Sequence, residues 1–185
     1  MGSLLCYQNK REVNFEKLLA NMKDEGDALI INLKGKGYIV QKIVVQAIIA
    51  KLQKFLESSQ SYPLFILAEE AHLYISQTSW LDLITRMRHL GAFQLYITNT
   101  LTSIDQLIIR QTDNTFIFNL TNPKDIEHIL PAAKIDKAIM ELVAPALPPK
   151  TFLAIGQAAS DYPFILKTKP LPYLTAGKTR LLWKR

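Results

Sequence analysis

The sequence predicts an α/β protein with a mainly parallel sheet flanked by helices, closed by a C-terminal β-hairpin and a basic tail. Two observations carry that expectation. Short, continuously apolar runs alternate with longer helical patterns, as buried strands joined by helical crossovers do. Most of those runs end abruptly in polar residues rather than fading into solvent-facing alternation.

Taken in order, Asn14 or Val13 opens a helical stretch to about Lys23, ended by Gly26. Residues 28–33 form an apolar run between Asp27 and Gly35, which suits a strand. An amphipathic helix is expected over 39–57, with Ile43, Ala47, Ile48 and Leu52 on one face. Residues 63–68 read as the next strand. A helix capped by Thr78 or Ser79, with Asp82 three residues beyond Ser79, would end at Gly91. Further strands are expected over 93–98 and 115–120, and a short helix over 103–110. Pro123 suits the first position of another short helix, and residues 134–143 are helical in pattern. After Pro145, Pro148 and Pro149, residues 151–155 and 163–167 read as a closing hairpin. Residues 1–166 would then form the core and 167–185 a proline-containing basic tail.

Composition narrows the classes. At 185 residues, with 49% hydrophobic and 21% charged residues, the chain can bury a proper core and is neither disordered nor fibrous. No apolar run approaches the ~20 residues that span a bilayer, and the first residues do not have the form of a signal peptide. A single cysteine, Cys6, fits a reducing cytoplasm. With His72, His89 and His128 the only histidines, no zinc-ligand spacing exists. The net charge of +6 lies entirely in the tail. Lys167, Lys169, Lys178, Arg180, Lys184 and Arg185 meet no acidic residue there, so nucleic acid or an acidic subunit face are candidate partners, against a merely solvated tail.

The chemistry concentrates at two strand ends. The run Leu64-Phe65-Ile66-Leu67-Ala68 finishes in Glu69-Glu70-Ala71-His72. In an open parallel sheet, groups at strand C-termini face the ligand crevice. One carboxylate there can hold Mg²⁺ through water, and the next can take a proton from a water attacking a phosphate. The same pair would also suit a solvated helix start, favoured by the macrodipole. The next strand ends in Thr98-Asn99-Thr100, which offers Asn99, with Thr98 in reserve, as the polar group beside those acids. Ordinary strand-to-loop polarity would look the same.

From about Gly26 to Lys167 the chain resembles the C-terminal part of the HerA-type DNA translocase ATPases, relatives of FtsK with a RecA-like fold. The resemblance rests on ordered pieces: 28–33 with its helix; Glu69-Glu70-Ala71-His72; Arg86-Met87-Arg88-His89-Leu90-Gly91 leading into 95–100; 105–110; Phe116-Ile117-Phe118-Asn119-Leu120-Thr121-Asn122-Pro123-Lys124-Asp125; and Phe152-Leu153-Ala154-Ile155-Gly156 with Pro163. It implies Glu69 as the magnesium-side acid, Glu70 as general base and Asn99 as sensor of the γ-phosphate. It also implies ATP and Mg²⁺ as ligands and a ring of like subunits that threads DNA, each site completed by an arginine from its neighbour. Arg88 is the candidate for that arginine, with Arg86 and Arg110 as rivals. The family usually has glutamine where Asn99 stands, Gly-Arg-Lys where Met87-Arg88-His89 stands, and an arginine where Asn119 stands.

A phosphate-binding loop needs Gly-x-x-x-x-Gly-Lys-Ser/Thr, and nothing of that form precedes residue 28. Gly35-Lys36-Gly37 has the wrong spacing and lacks the final hydroxyl. Ala176-Gly177-Lys178-Thr179 has Pro172 at the first glycine position and no strand before it. The expectation is therefore a chain inactive alone, either with its phosphate loop encoded upstream or descended from a relative that lost nucleotide binding. Two further readings stand beside it: a non-catalytic DNA-binding or assembly module, and a doubly wound domain holding a small ligand near Glu69. His72 could link nucleotide state to DNA, as the resemblance suggests, or pack at a helix start. Trp80 and Trp183 suit packing as well as base stacking. Asp125, Glu127, Lys51 and Lys54 read as helix-surface charges, and no Ser-His-Asp arrangement is visible.

Overall fold

A computed structural model of the chain describes residues 14–22, 27–58, 63–75, 86–133, 135–160, 162–170 and 172. The chain divides into two compact units, Met1–Arg110 and Gln111–Arg185.

In the first unit, helix α1 (Phe15–Asn21) starts at Asn14, whose side chain accepts from Lys17 N at 3.0 Å. It packs on helix α2 (Tyr38–Ser58). The buried stripe of α2 is Val44, Leu52 and Leu56, spaced at helical repeats. Ile43 and Ala47, expected inside, are exposed, so the inward face is rotated from the expected one. Strand β1 (Leu64–Ala68) pairs in parallel with strand β2 (Ala92–Tyr96), Leu64 opposite Ala92 and Ala68 opposite Tyr96. Residues 86–89 are helical, and Gly91 ends that turn at φ 81°, a conformation that favours glycine. The expected caps Thr78 and Ser79 lie outside the described residues. Past β2 come a 3₁₀ turn (Leu101–Ser103) and helix α3 (Gln106–Arg110). Ile75 and Met87 are fully buried, worth about 1.5–3 kcal/mol each.

Residues 28–33 do not form the expected strand. They carry no ladder partner among the described residues, and Ile30 is 86% exposed. Asn32 instead bends its side chain to Lys34 N at 3.0 Å, and the chain turns at Gly35 into α2. A strand exists only against a neighbouring edge, and apolar composition does not supply one. The sheet faces differ as well. Phe65, Leu67, Phe93 and Leu95 share one face and are exposed, with the Phe65 and Phe93 rings stacked at 5.2 Å, while Ala68 and Ala92 are buried on the other.

The second unit is an antiparallel sheet with two helices. Strand β3 (Asn114–Ile117) pairs with strand β4 (Thr151–Gly156), which pairs with strand β5 (Phe164–Lys167). The expected hairpin is thus present, and β3 joins it antiparallel. Helix α4 (Pro123–Ala133) begins with Pro123 behind Asn122, whose side chain accepts from Lys124 N at 3.1 Å. Helix α5 (Lys137–Ala146) starts later than expected because Asp136 caps it, accepting from Ala138 N at 2.8 Å. Strand β3 stops at Ile117, short of residue 120. Asn119 instead donates to Pro145 O at 2.8 Å and Leu147 O at 3.1 Å, carbonyls left open because α5 ends at Ala146. The position where the resembling family has arginine therefore clamps a helix end.

Candidate functional site

Parallel pairing brings the C-terminal tips of β1 and β2 to the same edge of the sheet. Two hydrogen bonds extend the pairing beyond the strands: Ile97 N donates to Ala68 O at 2.9 Å, and Ala71 N donates to Ile97 O at 2.9 Å. Glu69 and Glu70 thus follow one strand, and Thr98 and Asn99 the other, at the same edge of the sheet.

Glu70 occupies the left-handed region, φ 53° and ψ 43°. A residue with a β-carbon costs roughly 1–2 kcal/mol there, and such strain gathers at functional positions. The turn releases the chain into a 3₁₀ turn, Ala71–Leu73, with Ala71 buried. Both carboxylates remain exposed. The Tyr74 hydroxyl donates to the Glu69 carbonyl oxygen, holding the base of the turn. Burial, and then the charges of Glu69 and Glu70, push the Tyr74 phenol above its ordinary 10.0, so it stays a donor.

On the second tip, the Thr98 hydroxyl is occupied. It donates to Thr100 O at 3.2 Å, accepts from Thr100 N at 3.1 Å and faces His72 Nδ1 at 3.1 Å. Asn99 is exposed, and its Oδ1 accepts from Thr100 Oγ1 at 3.0 Å. Its amide nitrogen is left as the donor on this tip, which favours Asn99 over Thr98 for contact with a ligand.

Arg88 is not brought to this site. It stands just before β2, at the opposite end of a five-residue strand, about 16 Å from the tip at ~3.3 Å per residue. Arg86 lies on the same turn. Arg110 ends α3 and lies 3.5 Å from Gln106 Oε1. Lys167 and Lys169 are exposed on and after β5. Lys178, Arg180, Lys184 and Arg185 lie outside the described residues, as do Trp80, Trp183 and Ala176-Gly177-Lys178-Thr179. Sequence reasoning missed Tyr74 and the closeness of His72 to Thr98, because contacts between strand tips depend on register.

Among the described residues no cluster of three or more histidine, cysteine or acidic side chains could enclose a metal. The exposed Glu69 carboxylate is an oxygen donor of the kind Mg²⁺ prefers. No helix of the described residues is long and apolar enough to cross a membrane.

No family model matches the sequence, and no curated protein does so either. Solved structures do. The genome-packaging NTPase B204 of Sulfolobus turreted icosahedral virus 2, solved with ATP-gammaS, is similar at TM-score 0.62 and 13% identity, over 92% of this chain and 76% of that one. The same NTPase with AMPPCP gives TM-score 0.54 and 15% identity, over 70% and 62%. The DNA-packaging ATPase B204 from Sulfolobus turreted icosahedral virus gives 0.50 and 14%, over 77% and 65%. This chain has the fold of those NTPases. In the AMPPCP comparison it spans 62% of the packaging NTPase's length.

Proposed function

We propose that this chain is a module of a HerA/FtsK-type DNA-translocating or DNA-packaging ATPase, supplying the acidic and sensor residues for ATP hydrolysis. The single observation that carries the reading is the parallel pairing of β1 and β2, which puts the segment bearing Glu69 and Glu70 and the segment bearing Asn99 at the same edge of the sheet. The fold likeness to the packaging NTPases supports it.

In this reading Glu69 holds Mg²⁺ through water, and the ion, when bound, neutralises charge on the transferring phosphoryl group. Glu70 accepts the proton of the attacking water, and Asn99 donates its amide to the γ-phosphate or that water. Thr98 orders the tip through Thr100. The exposed Glu70 carboxylate can reach water directly, and its fixed turn sets its direction. A general base of this kind contributes about 10²–10⁴-fold in rate. The phosphates need backbone N–H groups and a lysine that residues 28–37 do not provide in Gly-x-x-x-x-Gly-Lys form, so the chain alone is expected to turn over no ATP. Arg88, far from its own tip, suits action on a neighbouring subunit's site in a ring.

Two measurements test this together. With millimolar Mg²⁺ and ATP-gammaS, backbone resonances at residues 69–72 and 97–100 should shift, and shifts confined to other residues would remove the site. Hydrolysis by the purified chain that disappears in Glu70→Gln would disprove the missing phosphate loop.

A second reading, a non-catalytic DNA-binding module, is favoured by one feature of the hairpin. Thr168 N donates to Lys150 O at 2.8 Å, and Thr151 pairs with Lys167, so Lys150, Lys167 and Lys169 gather at one end of β4 and β5. DNA affinity that falls steeply with salt and drops on replacing Lys167 and Lys169 by alanine would support it. No binding at low salt would end it.

A further inference from the structure

Just beyond the left-handed turn at Glu70, the chain sets His72 between the two strand tips. Its Nδ1 lies 3.1 Å from Thr98 Oγ1 and 3.4 Å from Glu70 Oε2. The ring is mostly enclosed, its side chain 18% exposed against 51% for Glu70. One nitrogen thus faces partners from two different strands.

Those partners decide where the ring proton sits. An ionised carboxylate only accepts. The Thr98 hydroxyl has the Thr100 carbonyl oxygen at 3.2 Å as acceptor, and with its hydrogen there it turns a lone pair toward the ring. Two acceptors around Nδ1 favour the neutral tautomer that carries its hydrogen on Nδ1. A single N–H aligns well with one acceptor at a time. The shorter distance assigns it mainly to Thr98, with Glu70 as the second acceptor.

We infer that His72 is a positioning residue for Glu70, its one Nδ1–H shared between the Glu70 carboxylate and Thr98 Oγ1, so that the tip of β2 governs how firmly Glu70 is held. The inference rests on the reading of Glu70 as general base and names a regulation of that site. With the N–H on Thr98, the Glu70 carboxylate keeps its lone pairs for water. Where Thr98 does not accept it, the N–H passes to Glu70 and fixes the direction of its carboxylate. The two tips are thereby joined through one hydrogen.

The test uses this chain with ¹⁵N-labelled histidine and ¹³C-labelled glutamate, at a pH where the ring is neutral. The His72 ring should carry its hydrogen on Nδ1, opposite to the form that unstructured peptides favour. Thr98→Val, close to isosteric, should shift the Nδ1 resonance and move the Glu70 side-chain carboxyl resonance as the N–H transfers. His72→Ala should also move the Glu70 resonance, whereas His72→Asn, whose amide N–H can stand where Nδ1–H does, should restore it. Hydrogen on Nε2 in the unaltered chain would overturn the inference. So would a Glu70 resonance indifferent to Thr98→Val, a variant expected to fold even if His72→Ala does not. None of these readings needs nucleotide, so they stand or fall separately from the Mg²⁺–ATP-gammaS shifts that test the ATPase assignment.

Discussion

Replacing Glu70 by glycine should stabilise the protein relative to replacing it by alanine, the reverse of the usual order. Both changes remove the carboxylate and its approach to His72, so their difference isolates the backbone. At φ 53° and ψ 43° an alanine keeps the penalty of a β-carbon in the left-handed region, roughly 1–2 kcal/mol. Glycine removes that penalty and costs about 0.5–1 kcal/mol in unfolded-chain freedom. The net advantage of glycine is about 1 kcal/mol. With a urea slope of roughly 1–3 kcal/mol/M, the glycine midpoint should lie about 0.3–1 M above the alanine midpoint. Urea unfolding followed by circular dichroism reads the difference. An alanine variant as stable as the glycine variant, or more so, would show that Glu70 is not held in the left-handed turn and that no strain is stored at the acidic tip.

Gly156→Ala should be far more damaging: at φ 112° its new Cβ would sit 2.1 Å from Asp113 O, and the shift of backbone needed should cost about 3 kcal/mol or more in thermal or urea unfolding. Asp136→Ala should cost about 1 kcal/mol by the same assay, through loss of the α5 cap. Asn119→Ala should cost about 1–2 kcal/mol, because two helix-terminal carbonyls lose their donor. Burial pushes the Tyr96 phenol well above its ordinary 10.0, so the folded chain keeps a proton that the unfolded chain releases. Stability from this group is complete below about pH 10 and falls as pH rises beyond it. Tyr96→Phe should flatten that alkaline decline, measured as unfolding midpoints across the pH series.

Where the sequence was readable, a local signal sufficed. The runs ending in Glu69 and in Thr98 announced β1 and β2, because an apolar strand that stops in carboxylates or amides needs a reason to do so. Asn14 and Pro123 marked helix starts through backbone requirements that do not depend on the rest of the fold. Residues 28–33 misled because Ile30 and its neighbours have strand composition without an edge to pair with. Strand β3 was expected but its antiparallel partner was not, since an apolar run looks the same in either direction. The candidate residues were legible only as types, two acids and an amide after apolar runs. The placement of His72 against Thr98 was not, because it follows from a register between segments 26 residues apart.

The convergence of the two tips can be measured through the bond that closes it. Ala71 N–H donates to the Ile97 carbonyl at 2.9 Å, so in labelled protein a scalar coupling should cross that hydrogen bond and the Ala71 amide should exchange slowly with solvent. A rapidly exchanging Ala71 amide with no coupling to Ile97 would mean that the acidic and amide-bearing tips do not meet, and the ATPase-module account would lose its footing.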